Sequence, residues 1–459
     1  MDSDPSHLAE LVAEVGSEQV CTDPDTMQAY RRDWCKAGEA GMPLAVLRAR
    51  TAAHVQAGVR WASRHGIPIV PRGAGSGLSA GSNAIEGGLT ISLDRMTQVR
   101  IDPATRTATV EPGALNVDVK RAAAEHGLTY PPDPSSFEMC SIGGNLATNA
   151  GGLCCVKYGV TTDYVLGLDV VLADGSLVRL GGRNLKDVAG LPLIKLFVGS
   201  EGTLGIFTSA VLRLVPTPAE PATLVALFAT PEAAAHGVVR ACARVRPAML
   251  ELMDNATINA VEDYRSFGLD RSAGALVLAQ SDAPGDARIV ELDSLAAEFA
   301  AAGASEIFQT HDAEEAEMFT MARRSVLPAV EAQGAVLLED VGVPVPRLPE
   351  LVNGVTKIAA EVELRIPVVA HAGDGNTHPI VVFDQSDPVS VERAYHAFDE
   401  IMRLAIGLGG TITGEHGVGR FKSAMLPVML GDEVMDLNRR IKRALDPENV
   451  FNPGALFPE

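Results

Sequence analysis

The sequence predicts an α+β protein with a glycine-rich first half and a more regular second half. In the first half, short apolar strands and helices are separated by three glycine-rich turns. After a proline cluster at residues 216–221, strands and helices follow in an order that suits an antiparallel sheet with helices on one face. We expect one domain at residues 1–217 (core about 40–217), a second at 218–415, and a C-terminal segment, 416–459, that returns to the first.

The individual elements follow from apolar periodicity and from the residues that end helices. In the first half we predict helices at residues 6–16, 51–66 and 116–126, strands at 67–71, 88–93, 108–112, 165–173 and 210–215, and a long functional loop at 131–152. In the second half we predict strands at 223–229, 275–280, 335–341 and 366–372, and helices at 231–246, 287–302, 312–330, 348–364, 389–408 and 432–445.

Composition limits the classes of function. Hydrophobic residues make up 47% of the 459 positions and charged residues 21%, which is typical of a globular protein with a large core. The formal net charge of −20 argues against nucleic-acid partners and against binding to anionic lipid. An anionic substrate would therefore need a local positive group, such as an arginine or a metal ion.

Cysteine usage and the N-terminus bear on the compartment. The six cysteines form no Cys-x-x-Cys pair, so we expect neither a disulfide framework nor an iron–sulfur cluster in this chain. The acidic N-terminus lacks the apolar stretch of a secretory signal, and no apolar run reaches the roughly 20 residues of a membrane helix. We expect a cytoplasmic protein with no transmembrane segment, and docking to a membrane through a partner is left open.

Three glycine-rich motifs lie in the first half of the chain, at residues 71–77 (PRGAGSG), 141–152 (SIGGNLATNAGG) and 199–206 (GSEGTLGI). The first has neither the spacing of a dinucleotide-binding fingerprint nor the Gly-Lys-Ser/Thr end of a P-loop. Each motif alone could be a tight turn or a surface loop. Together they indicate one large ligand, with a pyrophosphate and rings, that the backbone approaches closely.

Two histidines flank a predicted turn in the second half. Residues 366–371 form a strand, Ala372–Thr377 contain the turn, and a returning strand begins at His378, so a hairpin would bring His371 opposite His378. Two facing imidazoles can share one ion, and Glu415, which with His416 is flanked by Gly414 and Gly417, is a plausible third ligand. Zinc fits such a set, and Mn²⁺ or Fe²⁺ is chemically reasonable. The alternative is that these histidines are ordinary polar residues at strand ends.

Charged residues elsewhere in the second half are less specific. Arg323 and Arg324 follow each other on a predicted helix, where a basic pair is either a solvated face or a clamp for a carboxylate. Glu339 and Asp340 follow a short strand, where they either shape the site or cap the strand.

The three motifs, with Pro131–Pro134 before the second, resemble the FAD-binding half of the vanillyl-alcohol-oxidase (PCMH-type) flavoproteins. More narrowly, the chain from about residue 40 to Asn452-Pro453-Gly454 is similar to the group of glycolate oxidase FAD subunits, D-lactate dehydrogenases and D-2-hydroxyglutarate dehydrogenases. This resemblance implies a PCMH-type FAD-binding domain of two α/β subdomains and an antiparallel-sheet substrate (cap) domain.

The resemblance also implies which residues bind the flavin. The positions it assigns to FAD are Pro71, Arg72, Gly73, Ala74, Gly75, Ser76, Gly77, Pro132, Asp133, Ser141, Gly143, Gly144, Asn145, Asn149, Gly151, Gly152, Glu201, Gly202, Gly205, Ile206 and Asn452. Some members of the wider family link flavin covalently to a histidine. No His or Cys lies in the 71–82 loop, so we expect non-covalent FAD.

In the similar dehydrogenases, the residues matching His371, His378 and Glu415 are metal ligands. The residue matching His416 is the base, and the one aligned with Arg323 clamps the substrate carboxylate. The metal makes the hydroxyl of a 2-hydroxy acid more acidic, the base accepts its proton, and a hydride moves to flavin N5. We therefore expect an FAD-dependent dehydrogenase or oxidase of small D-2-hydroxy acids, with the D hand resting on the resemblance.

Two departures narrow the substrate. The hydroxyglutarate enzymes carry Lys where this chain has Leu338 and Asn where it has Ile380, and those polar groups hold the second carboxylate. A monocarboxylic acid such as D-lactate or glycolate is therefore expected. Alternatives are a D-2-hydroxyglutarate-type dehydrogenase, a metal-free flavin alcohol oxidase and an electron-transfer subunit without chemistry of its own. The electron acceptor (a quinone, a cytochrome, an electron-transfer flavoprotein or an iron–sulfur subunit) is left open.

Overall fold

The computed structural model describes residues 5–458, and the chain divides into two compact units. The first comprises the chain up to Gly151, Val160–Thr217 and the chain from Glu415 onwards. The second comprises Gly152–Gly159 and Pro218–Gly414. The short Gly152–Gly159 segment had not been separated from the first domain by sequence, because its composition resembles that of the loop before it.

The first unit contains two principal sheets. A four-stranded sheet has the order Val20–Cys21, Ala45–Arg48, Leu89–Ser92, Ile69–Arg72, with its last three strands parallel. A five-stranded antiparallel sheet has the order Val99–Asp102, Thr107–Val110, Ile206–Arg213, Val165–Val171, Leu177–Gly181. A small ladder joins Leu128–Thr129 to Val215–Pro216.

Helices of the first unit complete its core. They are Pro5–Val15, Pro24–Met27, Ala52–His65, Asn116–Ala124, Ile142–Thr148, Leu193–Phe197, Leu426–Leu430 and Asp432–Leu445. The helix Ala52–His65 buries Val55, Val59 and Trp61 against the four-stranded sheet, and Gly66 ends it in the left-handed conformation that favours glycine. The C-terminal chain returns to this core, where Phe451 is fully buried beside Ile69.

The second unit is built on one antiparallel sheet. Its order is Glu306–Thr310, Ala222–Phe228, Ala275–Ser281, Met249–Asp254, Val368–His371, Asn376–Phe383, Ala335–Leu338, with Val341–Gly342 also paired to Asn376–Phe383. Its helices are Cys155–Tyr158, Pro231–Cys242, Asn255–Tyr264, Ala287–Ala301, Ala313–Arg324, Val326–Glu331, Leu348–Val362 and Pro388–Gly407.

Helices cover both faces of this sheet. On one face, the ring of Phe228 packs against Phe299, and Gly237 of a neighbouring helix lies against both rings. On the other face, Met249 and Met253 share a core cluster with Ile258, Val326 and other residues of three helices. The predicted α+β fold class with antiparallel sheets is confirmed. We had predicted helices on one face of this sheet only, and the structure has helices on both faces.

The sequence analysis missed two strands of the second unit, Met249–Asp254 and Glu306–Thr310, and two of its helices, Cys155–Tyr158 and Asn255–Tyr264. The helix predicted at 312–330 is two helices that meet at Ser325. Pro328 lies in the first turn of the second helix, where the missing N–H costs nothing, whereas inside one continuous helix it would break a backbone bond. Within residues 5–458, no helix has both the length and the apolar character needed to cross a bilayer.

Candidate functional site

His371 and His378 lie on neighbouring strands of the second unit. The strand register pairs His371 with Asn376 and Val369 with His378, so the two histidines are diagonal neighbours. The prediction that they lie directly opposite each other was wrong. His371 is paired with Asn376, and His378 lies two residues beyond Asn376 on the same strand. Side chains alternate between the two faces of a sheet, so both histidines point to the same face. Their ring centroids are 5.1 Å apart and nearly perpendicular.

Hydrogen bonds fix which nitrogen of each ring carries the proton. Nδ1 of His371 lies 2.9 Å from both carboxylate oxygens of Glu251, and Nδ1 of His378 lies 3.2 Å from the backbone oxygen of Glu339. Oxygens of this kind accept, so each Nδ1 must carry the proton. Each Nε2 then carries the lone pair of its ring, which is the arrangement seen in most histidine ligands of metals.

Glu251 also binds an arginine. Nε of Arg323 lies 2.7 Å from Glu251 Oε2, and both side chains are almost completely buried. A guanidinium nitrogen of Arg323 also comes within 3.4 Å of His371 Nδ1. Nδ1 of His371 cannot accept a hydrogen bond from Arg323 while it donates its own proton to Glu251. We assign the hydrogen bond to Glu251 because that contact is the shorter of the two. Arg323 therefore joins the histidine site through Glu251.

Asp340 anchors the segment that leads to the predicted third ligand. Its carboxylate accepts hydrogen bonds from the hydroxyl of Thr413 (2.6 Å) and the backbone N–H of Gly414 (3.0 Å). A Cβ on Gly414 would lie 2.3 Å from the side chain of Asn376, so any larger residue there would force that side chain to move. Asp340 and His378 each offer a ligand atom within 4.8 Å of the other, which makes Asp340 an alternative ligand.

An apolar wall lies beside His378 on the same face of the sheet. Leu338 and Ile380 are directly paired across neighbouring strands, and Ile380 is two residues from His378. Ile380 is buried, and Leu338 packs against the same core cluster. These two positions therefore offer no polar partner of their own to a ligand.

In the first unit, the first two glycine-rich motifs meet at Ser141. Its hydroxyl accepts hydrogen bonds from the N–H groups of Ala74 (3.1 Å) and Gly144 (3.3 Å). A Cβ on Gly73 would lie 2.3 Å from that hydroxyl, so a larger residue there would displace Ser141 from its hydrogen bonds. The hydroxyl of Ser141 thus joins two turns whose backbones can face one ligand.

The third motif joins the same group. The N–H groups of Gly199 and Glu201 donate to the backbone oxygens of Leu146 and Ala147, and Gly202 packs against Pro71. Gly202 has a φ of +71°, where a Cβ would be strained. The three motifs, which are far apart in sequence, therefore form one continuous glycine-rich surface of the first unit.

The C-terminal chain is tied to this surface through Glu201. Its carboxylate accepts hydrogen bonds from the N–H groups of Val418 (2.7 Å) and Gly419 (2.6 Å), which lie two and three residues after His416. The backbone oxygen of His416 accepts a hydrogen bond from the hydroxyl of Ser79. The side chain of Asn452 donates to the backbone oxygen of Glu201 at 2.7 Å. His416 and Asn452 therefore both adjoin the glycine-rich turns.

Comparison with known proteins shows the family to which the chain belongs. Residues 43–181 match the model of the FAD binding domain, and residues 217–456 match that of the FAD linked oxidases, C-terminal domain. The chain belongs to the FAD-linked oxidase family. It is 43% identical to the glycolate oxidase subunit GlcD of Bacillus subtilis, over 91% of this chain and 89% of that protein. It is 32% identical to the D-lactate dehydrogenase of Archaeoglobus fulgidus, over 90% of each.

Solved structures agree on the fold of this FAD-linked oxidase. p-Cresol methylhydroxylase with bound substrate has a TM-score of 0.83 at 19% identity, covering 99% of this chain and 96% of that one. The 4-ethylphenol oxidase of Gulosibacter chungangensis has a TM-score of 0.80 at 20% identity, covering 100% and 99%. The protein is an FAD-dependent oxidoreductase, and the glycine-rich surface of the first unit suits a cofactor whose pyrophosphate needs close backbone approach.

The residues predicted to bind FAD fall mainly in the first unit, and Gly152 alone belongs to the second. Arg72 lies in the predicted loop, but its buried guanidinium donates to the backbone oxygens of Ala29, Arg32 and Ser82. Its side chain therefore stabilises the loop from behind, and its contribution to a ligand would come from its backbone.

Sequence reasoning missed Glu251 as a member of the site. It lies in an apolar strand, Met249–Asp254, where its neighbours Leu250 and Leu252 face away from it. The signal that could have found it is an acidic residue in an otherwise apolar strand, since a buried carboxylate requires partners.

Glu201 is expected to make the stability of this FAD-linked oxidase depend on pH. Burial raises the pKa of Glu201 from 4.5 to about 7, against the lowering effect of its two backbone donors. The folded state then binds this proton more tightly, so the free energy of unfolding falls as pH rises from about 4.5 to about 7. The expected loss is roughly 3 kcal/mol.

Urea denaturation of the wild type and Glu201→Gln at pH 5 and pH 7.5 measures this effect. The stability of the variant should change less between the two pH values, because an amide has no proton to release as the pH rises. An equal pH dependence in the two proteins would contradict the prediction.

Proposed function

We propose that this FAD-linked oxidase oxidises a small D-2-hydroxy monocarboxylic acid, of the D-lactate or glycolate type, to the 2-oxo acid. The observation that carries the proposal is the pair His371 and His378, each held with its lone pair on Nε2, beside the buried guanidinium of Arg323. A cation and an arginine at one place are what an anionic substrate needs in a chain of net charge −20.

His371 and His378 would hold a divalent metal ion, with zinc the first choice and Mn²⁺ or Fe²⁺ chemically reasonable. Glu415 would be the third ligand, since it follows directly on Gly414, which Asp340 holds. When bound, the ion supplies Lewis acidity, which lowers the pKa of a coordinated hydroxyl. Asp340 is the alternative oxygen donor next to His378.

The remaining steps fall to side chains of this chain. Arg323 binds the substrate carboxylate and fixes its orientation, a task that suits its planar fork. His416, neutral at working pH, accepts the hydroxyl proton on a ring nitrogen. FAD, bound without a covalent link, supplies the hydride acceptor.

The apolar pair Leu338 and Ile380 favours a single-carboxylate substrate. A second carboxylate placed against these side chains would lose its hydration without gaining a partner, which costs several kcal/mol. The resemblance to curated proteins named glycolate oxidase subunit and D-lactate dehydrogenase points the same way. We therefore place a D-2-hydroxyglutarate-type activity second.

A dye-reduction assay with D- and L-lactate, glycolate and D-2-hydroxyglutarate, with metal content measured on the same sample, tests the proposal. We expect kcat/KM for D-lactate or glycolate to exceed that for D-2-hydroxyglutarate by at least about 100-fold, which corresponds to roughly 3 kcal/mol. Activity should fall on chelation and return with zinc or manganese.

The matched variant is Leu338→Lys, which offers an ammonium to a second carboxylate. It should raise kcat/KM for D-2-hydroxyglutarate relative to D-lactate, whereas Leu337→Met, the neighbouring strand position, should not. Full activity of a metal-free preparation would contradict the metal, and equal rates on mono- and dicarboxylic acids would contradict the substrate class.

A further inference from the structure

We infer that Glu251 is the positioning residue of this site, holding the metal-ligand histidine His371 and the clamp Arg323 in their working orientations at once. The inference rests on the proposed function for what the two residues do. The contacts that carry it all lie within the second unit, between a strand, its neighbour in the sheet and a helix.

The sheet register places Glu251 next to His371. Leu252 pairs with Ala370 and Met253 with Val369, and the same antiparallel register sets Glu251 across from His371. The cross-strand distance brings Nδ1 of the ring within 2.9 Å of both carboxylate oxygens. Because rotation of the imidazole would break this bond, the carboxylate sets both the plane of the ring and its tautomer.

The tautomer matters because only a nitrogen with a lone pair can bind a cation. With the proton held on Nδ1 by Glu251, Nε2 keeps its lone pair and is the ring nitrogen that can bind an ion. Without a strong acceptor at Nδ1, the two neutral tautomers of an imidazole are similar in free energy. A substantial fraction of the protein would then carry its proton on the nitrogen that must bind the ion.

The second partner explains why this acceptor is a carboxylate. Nε of Arg323 lies 2.7 Å from Oε2, so the two oxygens serve a cation and a neutral ring together. Glu251 is 1% exposed and Arg323 is 5% exposed, and the pair of opposite charges makes that burial tolerable. The same ion pair holds the guanidinium at a fixed place beside the histidines, from which its other nitrogens can donate to a substrate carboxylate.

An amide cannot replace this carboxylate. In the variant Glu251→Gln, if the amide oxygen faced His371, the NH₂ group would face the guanidinium, donor against donor. If the NH₂ group faced His371 instead, it would favour the tautomer with the proton on Nε2. The substitution should therefore disturb either Arg323 or His371, while the side-chain volume is nearly unchanged.

The test is ¹⁵N NMR of histidine-labelled, FAD-loaded protein without metal, followed by zinc titration by calorimetry. In the wild type, His371 should show a protonated Nδ1 and an unprotonated Nε2. In Glu251→Gln that preference should be lost, and the zinc dissociation constant should rise about 10- to 100-fold. The KM for D-lactate should also rise, because Arg323 loses its fixed position.

Glu262→Gln is the matched control, since Glu262 is also a buried carboxylate of the second unit but accepts hydrogen bonds from the N–H groups of Phe267 and Leu269. It should leave the tautomer of His371 and the affinity for zinc unchanged. An equal loss of zinc affinity in both variants would mean that removing any buried carboxylate of the second unit weakens zinc binding. That result would overturn the inference.

The wild-type tautomer separates this inference from the proposed function. A proton on Nε2 of His371 in the wild type overturns the role of Glu251 whatever the metal does. A wild type with the expected tautomer but no affinity for zinc or manganese contradicts the proposed metal and leaves Glu251 as the residue that orients His371. If Glu251→Gln does not fold, Glu251→Asp, which keeps the charge but shortens the reach, serves as the second variant.

Discussion

Replacing His378 with alanine is expected to lower kcat/KM for D-lactate by about 10³-fold and to abolish stoichiometric metal binding. His378 supplies one of the two Nε2 lone pairs of the proposed site, and a bound divalent ion is worth several kcal/mol at the developing alkoxide. The measurement is steady-state kinetics with zinc and with manganese, together with metal analysis after dialysis. The visible spectrum should still report bound FAD.

His378 is a better choice than His371 because Nδ1 of His378 lies 3.2 Å from the backbone oxygen of Glu339, whereas Nδ1 of His371 contacts the buried ion pair of Glu251 and Arg323. His396→Ala, on an exposed position of the helix Pro388–Gly407, is the control and should change neither quantity. A variant at His378 that retains wild-type turnover would mean that the site works without a metal. The metal-free flavin alcohol oxidase would then be the better description.

Replacing Arg323 with lysine should raise the KM for D-lactate by about 100-fold, with a smaller fall in kcat. Lysine keeps the charge but presents a point donor where the guanidinium offers a planar fork, so it cannot bind both oxygens of the substrate carboxylate while it also contacts Glu251. The preserved charge still compensates Glu251, which limits the loss of stability. Steady-state kinetics on D-lactate, with thermal unfolding measured in parallel, checks both statements.

Arg324→Lys is the matched control because it makes the same chemical change one residue along the helix. Successive helical residues point about 100° apart, so the two side chains cannot take the same role. We expect Arg324→Lys to leave the KM within about 3-fold of the wild type, a free-energy change of roughly 0.6 kcal/mol. A large rise in KM for Arg324→Lys alone would move the clamp to Arg324.

Most elements of the fold could be predicted because their signals are local. The helix Ala52–His65 has an apolar face, and Gly66 ends it, so its bounds were predicted within a residue or two. The strand Met249–Asp254 was missed because it has no clear polar alternation: all of its residues but the last are buried, and helices cover both faces of its sheet. The break at Ser325 was missed because the apolar pattern continues through it.

The site was predictable to the extent that its residues are neighbours in sequence. His371 and His378 belong to one hairpin, and Asp374 and Gly375 mark its turn, so their proximity followed from the sequence. Their diagonal placement did not, because the register of a hairpin depends on loop geometry that side-chain patterns fix only within a residue. The assignments of Glu415 and His416 stay predictions.

The sequence by itself determined the FAD-binding half, since three long glycine-rich motifs each restrict the backbone wherever they occur. It also predicted that His371 and His378 lie close together in one hairpin. Its net charge of −20 showed that an anionic substrate needs a local positive group in order to bind. Only the tertiary structure decided that Glu251 joins His371 to Arg323. Those residues are far apart along the chain, and their contacts depend on strand order, on register and on the rotation of a helix about its axis, which no local pattern encodes.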